Sequence, residues 1–322
     1  MTREITVHDI ESAAARIEGH VARTPSRRSE WLSDLTGADV HLKLEVVQPT
    51  SSYKIRGAFN AALRLKARQV PDVRLVTASA GNHGRALAFA ARELGLPLTV
   101  FIASNAPSAK VDAIRTAGAE LRPSADYDEA ERQAKLHAAR GDGLFISPYS
   151  HPDVIAGAGT IALELLEELP ALDAIVVPVG GGGLIAGIGI AVRSRSPSTR
   201  VIGVEVAASC PFTQSLAAGR LVTIEVGPSL ADGLTGNLDP DTITFDIVGE
   251  VVDRIVVVDE PALRKALAAI VTREHLIAEG AAAAGVAAMM SEKLDLSGQR
   301  VSVILTGANI DADTLIHALS VV

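Results

Sequence analysis

Four short segments carry residue types and spacings that could do chemistry. The first is Val176-Val177-Pro178-Val179-Gly180-Gly181-Gly182-Gly183-Leu184. An apolar run ends in four glycines, and a helical pattern follows. Bare backbone N–H groups can converge there on an anion, and a helix N-terminus adds partial positive charge. A phosphate is the natural guest; a tight turn for close helix–sheet packing is the plainer alternative. The second segment, Ser51-Ser52-Tyr53-Lys54-Ile55-Arg56-Gly57-Ala58, holds one of only seven lysines among 30 basic residues. A lysine amine can lose its proton near neutral pH and form an imine, which a guanidinium cannot do. Taken alone, Lys54 reads as solvated surface charge. The third, Ser79-Ala80-Gly81-Asn82-His83-Gly84, opens a helical pattern and suits a carboxylate. Its plainer reading is an ordinary N-cap with a structural histidine. The fourth, Thr306-Gly307-Ala308-Asn309, offers a neutral hydroxyl at the end of an apolar run, where ligands bind in open α/β sheets.

Elements that could position these segments alternate along the chain. Short apolar runs at 75–77, 98–102, 144–146, 174–179, 201–206, 254–258 and 301–305 predict strands. Helical patterns at 85–94, 108–117, 154–169 and 184–193 predict helices between them. Such alternation implies βαβ units and mostly parallel sheets. Unbroken apolar strands such as AIVVPV imply helices on both faces. The uncharged run 174–192 reaches membrane-spanning length. Pro178 and the four glycines break it, so strand, turn and helix explain it better. Residues 147–152, with two prolines and no periodicity, form the best break between domains; 48–50 form another.

Composition narrows the function classes. A chain of 322 residues, 48% of them hydrophobic, with mean hydropathy +0.27, has room for about two domains. Net charge is −8 without blocks of like charge, which argues against nucleic-acid or anionic-membrane partners. Aromatics at 3% do not suit stacking on bases. Cys210 is the single cysteine, so no internal disulfide forms and a reducing cytoplasm is expected. The first ten residues lack a signal-peptide core.

Taken together and in this order, SSYKIRGAFN, SAGNHGRALAFAA, VGGGGLIAG and LTGANID resemble the fold-type II pyridoxal-phosphate enzymes. More narrowly, they look like the serine/threonine dehydratase and serine racemase group. The resemblance covers nearly the whole chain. It implies an α/β fold of two open, mostly parallel twisted sheets flanked by helices, like the tryptophan synthase β chain. It also implies a large cofactor domain, 1–50 plus 151–322, and a small domain, 51–150, inserted to close over the substrate. Pyridoxal 5′-phosphate is the implied cofactor. Lys54 would hold it as an imine, with Tyr53 against it and Ser52 flanking. Gly180, Gly181, Gly182 and Gly183 would cradle its phosphate, Asn82 its ring hydroxyl, and Thr306 would face its pyridine nitrogen. Ser79, with the backbone of Ala80, Gly81, Asn82 and His83, would hold the substrate carboxylate. Glu279 and Ala231-Asp232-Gly233 match weaker family segments near the site.

The implied reaction is dehydration and deamination of a β-hydroxy L-amino acid, L-threonine or L-serine, to a 2-oxo acid and ammonia. Racemases of the group carry a serine where this chain has Ala80, which cannot transfer a proton, so a dehydratase is favoured. A specialised substrate such as 3-hydroxyaspartate is the alternative. Many relatives bind a divalent cation through an acid after a Gly-Val/Ala step and a second acid six residues on. Glu205 supplies the first here, but Pro211 occupies the second position, so no metal is expected. The chain ends one helix beyond LTGANID, which implies no appended regulatory domain. A homodimer is a family expectation. From a different class, Gly181-x-Gly183-x-x-Ala186 followed by Glu205 fits a dinucleotide fingerprint, leaving a nicotinamide-dependent oxidoreductase as a rival. No Lys-Ser/Thr follows the glycines, so a P-loop fits worse.

Overall fold

The computed structural model describes residues 4–68, 73–291 and 293–320. Of the terminal segments read above, 1–3 and 321–322 lie outside the described residues. Among the described residues there are ten strands: β1 (Ser26–Arg28), β2 (Asp39–Leu44), β3 (Leu75–Ala78), β4 (Leu98–Ala103), β5 (Glu120–Ser124), β6 (Leu144–Phe145), β7 (Ala174–Pro178), β8 (Arg200–Val206), β9 (Arg254–Val258) and β10 (Arg300–Leu305). The first seven helices are α1 (Val7–Ile17), α2 (Glu30–Thr36), α3 (Lys54–Ala67), α4 (Asn82–Leu94), α5 (Ser108–Thr116), α6 (Tyr127–Ala139) and α7 (Pro152–Glu168). They are followed by α8 (Gly183–Arg195), α9 (Pro211–Ala218), α10 (Thr244–Val251), α11 (Glu260–Arg273), α12 (Gly280–Met289) and α13 (Ala312–Ser320).

The strands form two sheets. The larger runs β1-β2-β10-β7-β8-β9 and the smaller β5-β4-β3-β6. Only the β1–β2 pair is antiparallel. Neighbouring residues of one strand enter different cores: Val176 joins Val303 and the Ala281–Ala284 face of α12, while Ile175 and Val177 join α7 and α8. Burial on both faces is why these strands read as continuous apolar runs. All seven sequence-predicted strands are found, within a residue or two at their ends. The three strands outside that reading have weak apolar signals. β1 is three residues long and half exposed. β2 carries charged and polar residues among its apolar ones. β5, with Glu120, Arg122 and Pro123, lies at a sheet edge, where proline is tolerated.

Glycine sets how closely the lysine-bearing helix α3 meets its neighbours. A Cβ on Gly157 of α7 would lie 2.6 Å from the Arg56 carbonyl and 2.7 Å from Gly57 Cα. One on Gly187 of α8 would lie 2.3 Å from the Ile155 carbonyl. Backbone therefore packs directly on backbone through α3, α7 and α8, and a single methyl must separate the helices. Gly157→Ala is expected to destabilise the protein by about 1–3 kcal/mol, read as a lower urea midpoint. It should also move Lys54 away from its partners described below.

Candidate active site

The four sequence segments meet at the carboxyl ends of the strands. Ser52 bridges Gly307, Tyr53 N donates to the Thr306 carbonyl at 3.0 Å, and Ala308 N donates to the Ser51 carbonyl at 2.9 Å. The segment before α3 is thus paired to the loop after β10. Ser51 makes this turn with φ of 56°, a left-handed conformation uncommon for a residue with a side chain. Lys54 Nζ donates to the Pro148 carbonyl at 2.7 Å and lies 5.2 Å from the centre of the Tyr53 ring. Burial lowers its pKa to about 8, against the opposing pull of the Glu279 carboxylate. The Thr306 hydroxyl is buried and has no protein partner.

The glycine loop joins β7 to α8, with Gly182 at φ of 83°. Protein crowds it on one side. A Cβ on Gly181 would lie 2.3 Å from the Tyr149 ring, and one on Gly182 would lie 2.5 Å from Phe212. A Cβ on Gly183 would lie 2.6 Å from the Tyr149 carbonyl, and one on Gly180 3.1 Å from Leu234 Cα. Close packing, the plainer reading of the four glycines, is therefore real. It leaves the anion reading intact, because α8 starts from a glycine with no side chain to cap its first amides. Helix α4 starts in the same way from Gly81. Ser79 Oγ accepts from Gly81 N at 3.2 Å, and a Cβ on Gly84 would fall 2.0 Å from the Ser79 carbonyl. Ala80 contributes only a methyl beside this turn.

Asn82 is held from both sides. Its Nδ2 donates to Glu279 Oε1 at 2.7 Å, and its Oδ1 accepts from Asn309 Nδ2 at 2.7 Å. Asn309 also donates to the Thr50 carbonyl and accepts from Arg85. Asn82 keeps one N–H for another partner. Burial pushes the Glu279 carboxyl up to about 7, with the Asn82 bond opposing. His83 is neutral: burial first, then the Lys54 charge, lower it to about 3, and Nε2 lies 3.3 Å from the Ile146 carbonyl. Lys110 of α5 pairs with Asp232, whose neighbours Gly233 and Leu234 press on Gly180.

Glu205 does something different from either sequence reading. Its carboxylate accepts from Phe212 N and Thr213 N at 2.8 Å each and from Thr213 Oγ1 at 2.6 Å. It caps α9, and among the described residues no group of three His, Cys, Asp or Glu is placed to hold a metal ion. No described helix is long and apolar enough to cross a membrane.

An amine able to form an imine, set beside an uncapped glycine loop at the strand ends, defines a cofactor-binding enzyme site. Comparison with known proteins gives the cofactor. Residues 17–307 match the pyridoxal-phosphate dependent enzyme family, and the chain belongs to it. It is 38% identical over 312 residues to an L-threonine ammonia-lyase of Thermotoga maritima, covering 97% of this chain and 77% of that protein. It is also 38% identical over 308 residues to an L-threo-3-hydroxyaspartate ammonia-lyase of Saccharomyces cerevisiae, covering 95% and 94%. Maize serine racemase has the same fold, with a TM-score of 0.91 at 32% identity over 99% of this chain and 98% of that one. The residues suit the cofactor: a free-base-capable lysine, uncapped helix amides for a phosphate, and the unpartnered Thr306 hydroxyl for a ring atom. The nicotinamide reading gives way to this family.

Sequence reasoning passed over two participants. Tyr149 lies between two prolines, in a segment whose sequence suggests only a break between domains. Its signal was scarcity, since the chain has three tyrosines. Asn309 stands in the fourth motif, where nothing local gives it a task.

Two measurements follow from this geometry. Below pH 8 the Lys54 amine is protonated and unreactive, and above it free. Capture of added pyridoxal phosphate, followed by absorbance, should rise about tenfold per pH unit up to about 8 and then level. Glu205→Ala strands two backbone donors and a hydroxyl. It should destabilise the protein by about 1–3 kcal/mol in thermal or urea unfolding.

Proposed function

We propose that this protein is an ammonia-lyase acting on a β-hydroxy L-amino acid, L-threonine or L-serine. It would release a 2-oxo acid and ammonia. The observation that carries this reading is the buried Lys54 amine, lowered in pKa to about 8 and bonded to the Pro148 carbonyl, in a site that also holds the glycine-led starts of α4 and α8. Most of the same geometry would serve a racemase; Ala80 separates the two. Inverting a carbon centre needs proton transfer on both faces, and a methyl offers none opposite Lys54.

Bound pyridoxal phosphate supplies the electron sink for the pair released when the α-proton leaves. The protein's residues do the rest. Lys54 takes the α-proton as a general base once its amine is free, which its lowered pKa favours near neutrality. The first amides of α4, with Ser79, hold the substrate carboxylate and fix which bond faces Lys54. The uncapped start of α8 with Gly180–Gly183 holds the cofactor phosphate. Asn82, aimed by Glu279 and Asn309, donates to the ring hydroxyl, and Tyr53 packs against the ring. Thr306 would offer the ring nitrogen a neutral hydroxyl rather than a charged partner.

The reading extends to organisation. Residues 51–150 act as a small domain closing over the substrate, against a large domain of 1–50 plus 151–322. Support comes from the two separate sheets and from the bonds between them, Asn82–Glu279 and Lys110–Asp232. A cytoplasmic homodimer completes the reading. A second substrate, L-threo-3-hydroxyaspartate, is supported by the yeast relative named for it, 38% identical over 95% of this chain.

Lys54→Ala should lower turnover by at least about 10²–10⁴-fold, measured as 2-oxo acid formed. Full turnover in that variant would reject the role. A panel of threonine, serine and 3-hydroxyaspartate fixes the preferred substrate. D-serine formation should be negligible in the native protein and should appear in Ala80→Ser, as measured by chiral chromatography.

A further inference from the structure

Tyr149 has no task in the proposed chemistry, yet it touches the glycine loop most closely. Its ring fills the space where a Gly181 Cβ would be, and its carbonyl crowds Gly183. Three bonds from one loop hold this arrangement. Asp239 N donates to Tyr149 Oη at 3.1 Å, Ile243 N donates to Ser150 Oγ at 3.0 Å, and Thr244 Oγ1 donates to the Gly181 carbonyl at 2.8 Å. Residues 239–244 therefore press Tyr149 onto Gly181 and hold Gly181 from its other side.

That loop is in turn tied to α6, which packs on the smaller sheet. Lys135 Nζ lies 3.1 Å from Asp239 Oδ2 and 3.4 Å from Asp241 Oδ1. It also lies 3.3 Å from Glu131 Oε1. Glu131 is buried, and its carboxyl and that of Asp239 reach the same ammonium. Tyr127 of α6 and Tyr149 face the same acids. From the sheet, Phe145 brings an apolar ring 5.9 Å from Lys135 Nζ. Three carboxyl groups thus share one cation, and two of them lie against each other.

We propose that Tyr149 is a positioning residue for the glycine loop, and that the Glu131–Asp239 carboxyl pair sets how firmly the loop grips the cofactor phosphate. Two carboxyl groups this close and this shielded cannot both be charged without mutual repulsion. Burial, and then the Asp239 carboxyl beside it, push the Glu131 carboxyl up to about 7. Asp239 also feels burial, but Glu131 and Lys135 beside it hold it below the usual carboxylate range. Glu131 therefore carries the shared proton. A carboxyl whose folded-state pKa is raised stabilises its arrangement at low pH and loses that contribution as pH climbs through about 7. The tie between α6 and residues 239–244, and with it the seat of Tyr149, should slacken over that interval.

The proposal rests on the pyridoxal-phosphate reading of the glycine loop, and the experiment separates the two. Holoenzyme is exchanged into a scavenger of free cofactor, and loss of the bound chromophore is timed from pH 6 to 8. Loss should speed up by as much as roughly tenfold across this range, the limit for one linked proton over one pH unit. Glu131→Gln, which keeps the shape and cannot ionise, should release at the slow rate throughout. Tyr149→Phe, which keeps the ring but loses the Asp239 bond, should release fast throughout. Lys54 titrates alike in all three proteins, so only their difference is read. Coincident profiles for the native protein and Glu131→Gln would overturn the proposal. So would Tyr149→Phe keeping the native step, which needs no Glu131 variant to fold. A purified protein that binds no chromophore would instead overturn the reading of the loop.

Discussion

The placement of Lys54 depends on a guanidinium buried two residues away. Arg56 is about 1% exposed. It bonds both oxygens of Glu45 at 2.8 Å and both of Glu164, at 2.6 and 2.9 Å. Burial works against the Glu45 charge, and Arg56 outweighs it, holding the carboxyl below its usual range. Glu164 also meets Lys43 at 2.8 Å, and Lys43 is fully buried. One cation thus fastens α3 to α7 and to the turn after β2. Forked, two-sided pairing of this kind is what a guanidinium does and an ammonium does not. Such networks add little net stability over apolar packing, but losing one member leaves a stranded charge at a cost of about 3–5 kcal/mol. Here the network fixes orientation: α3 can neither rotate nor slide without breaking four charged bonds. The lysine at its first turn inherits that fixity.

Anchoring from below is matched by compliance above. Polar contacts cross between the two sheets' sides over the site, among them Asn82–Glu279, Asn309–Arg85 and Lys110–Asp232. Solvated pairs such as Lys110–Asp232 are worth about 0–1 kcal/mol, and small motions can exchange them for water. A rigid floor of ion pairs and glycine contacts under a weakly fastened roof suits a site that must hold its base still while admitting substrate.

Much of this was legible in the sequence because the chemistry demands residue types that no other constraint explains. Four successive glycines, a lysine in an arginine-preferring chain, and two strand-end turns each announce a place where backbone or amine must be bare. The apolar strands were legible for the same reason, since burial on both faces leaves an unbroken run. Other features are encoded at distances no local pattern reports. Glu205 is the same letter at a strand end whether it meets a ribose, a cation or the amides of Phe212 and Thr213. Only the path of residues 207–211 decides. Glu279 and Asn82 are 197 positions apart, and nothing in either segment names the other. Strands β1 and β5 carry charge because they lie at sheet edges, which removes the signal that marks the central ones.

Strand β10 pairs with β2 on one side and β7 on the other, so the middle of the larger sheet is supplied by residues 300–305. A ribosome must therefore pass residue 305 before that sheet has a centre, and Thr306 and Asn309 emerge later still. Until then β2 and β7 present unpaired edges, the kind of surface that recruits other chains or chaperones. Assembly of the site consequently waits until residues 300–309 have been made. A nascent fragment, however much of its smaller sheet has formed, holds the lysine but lacks the loop that pairs with it.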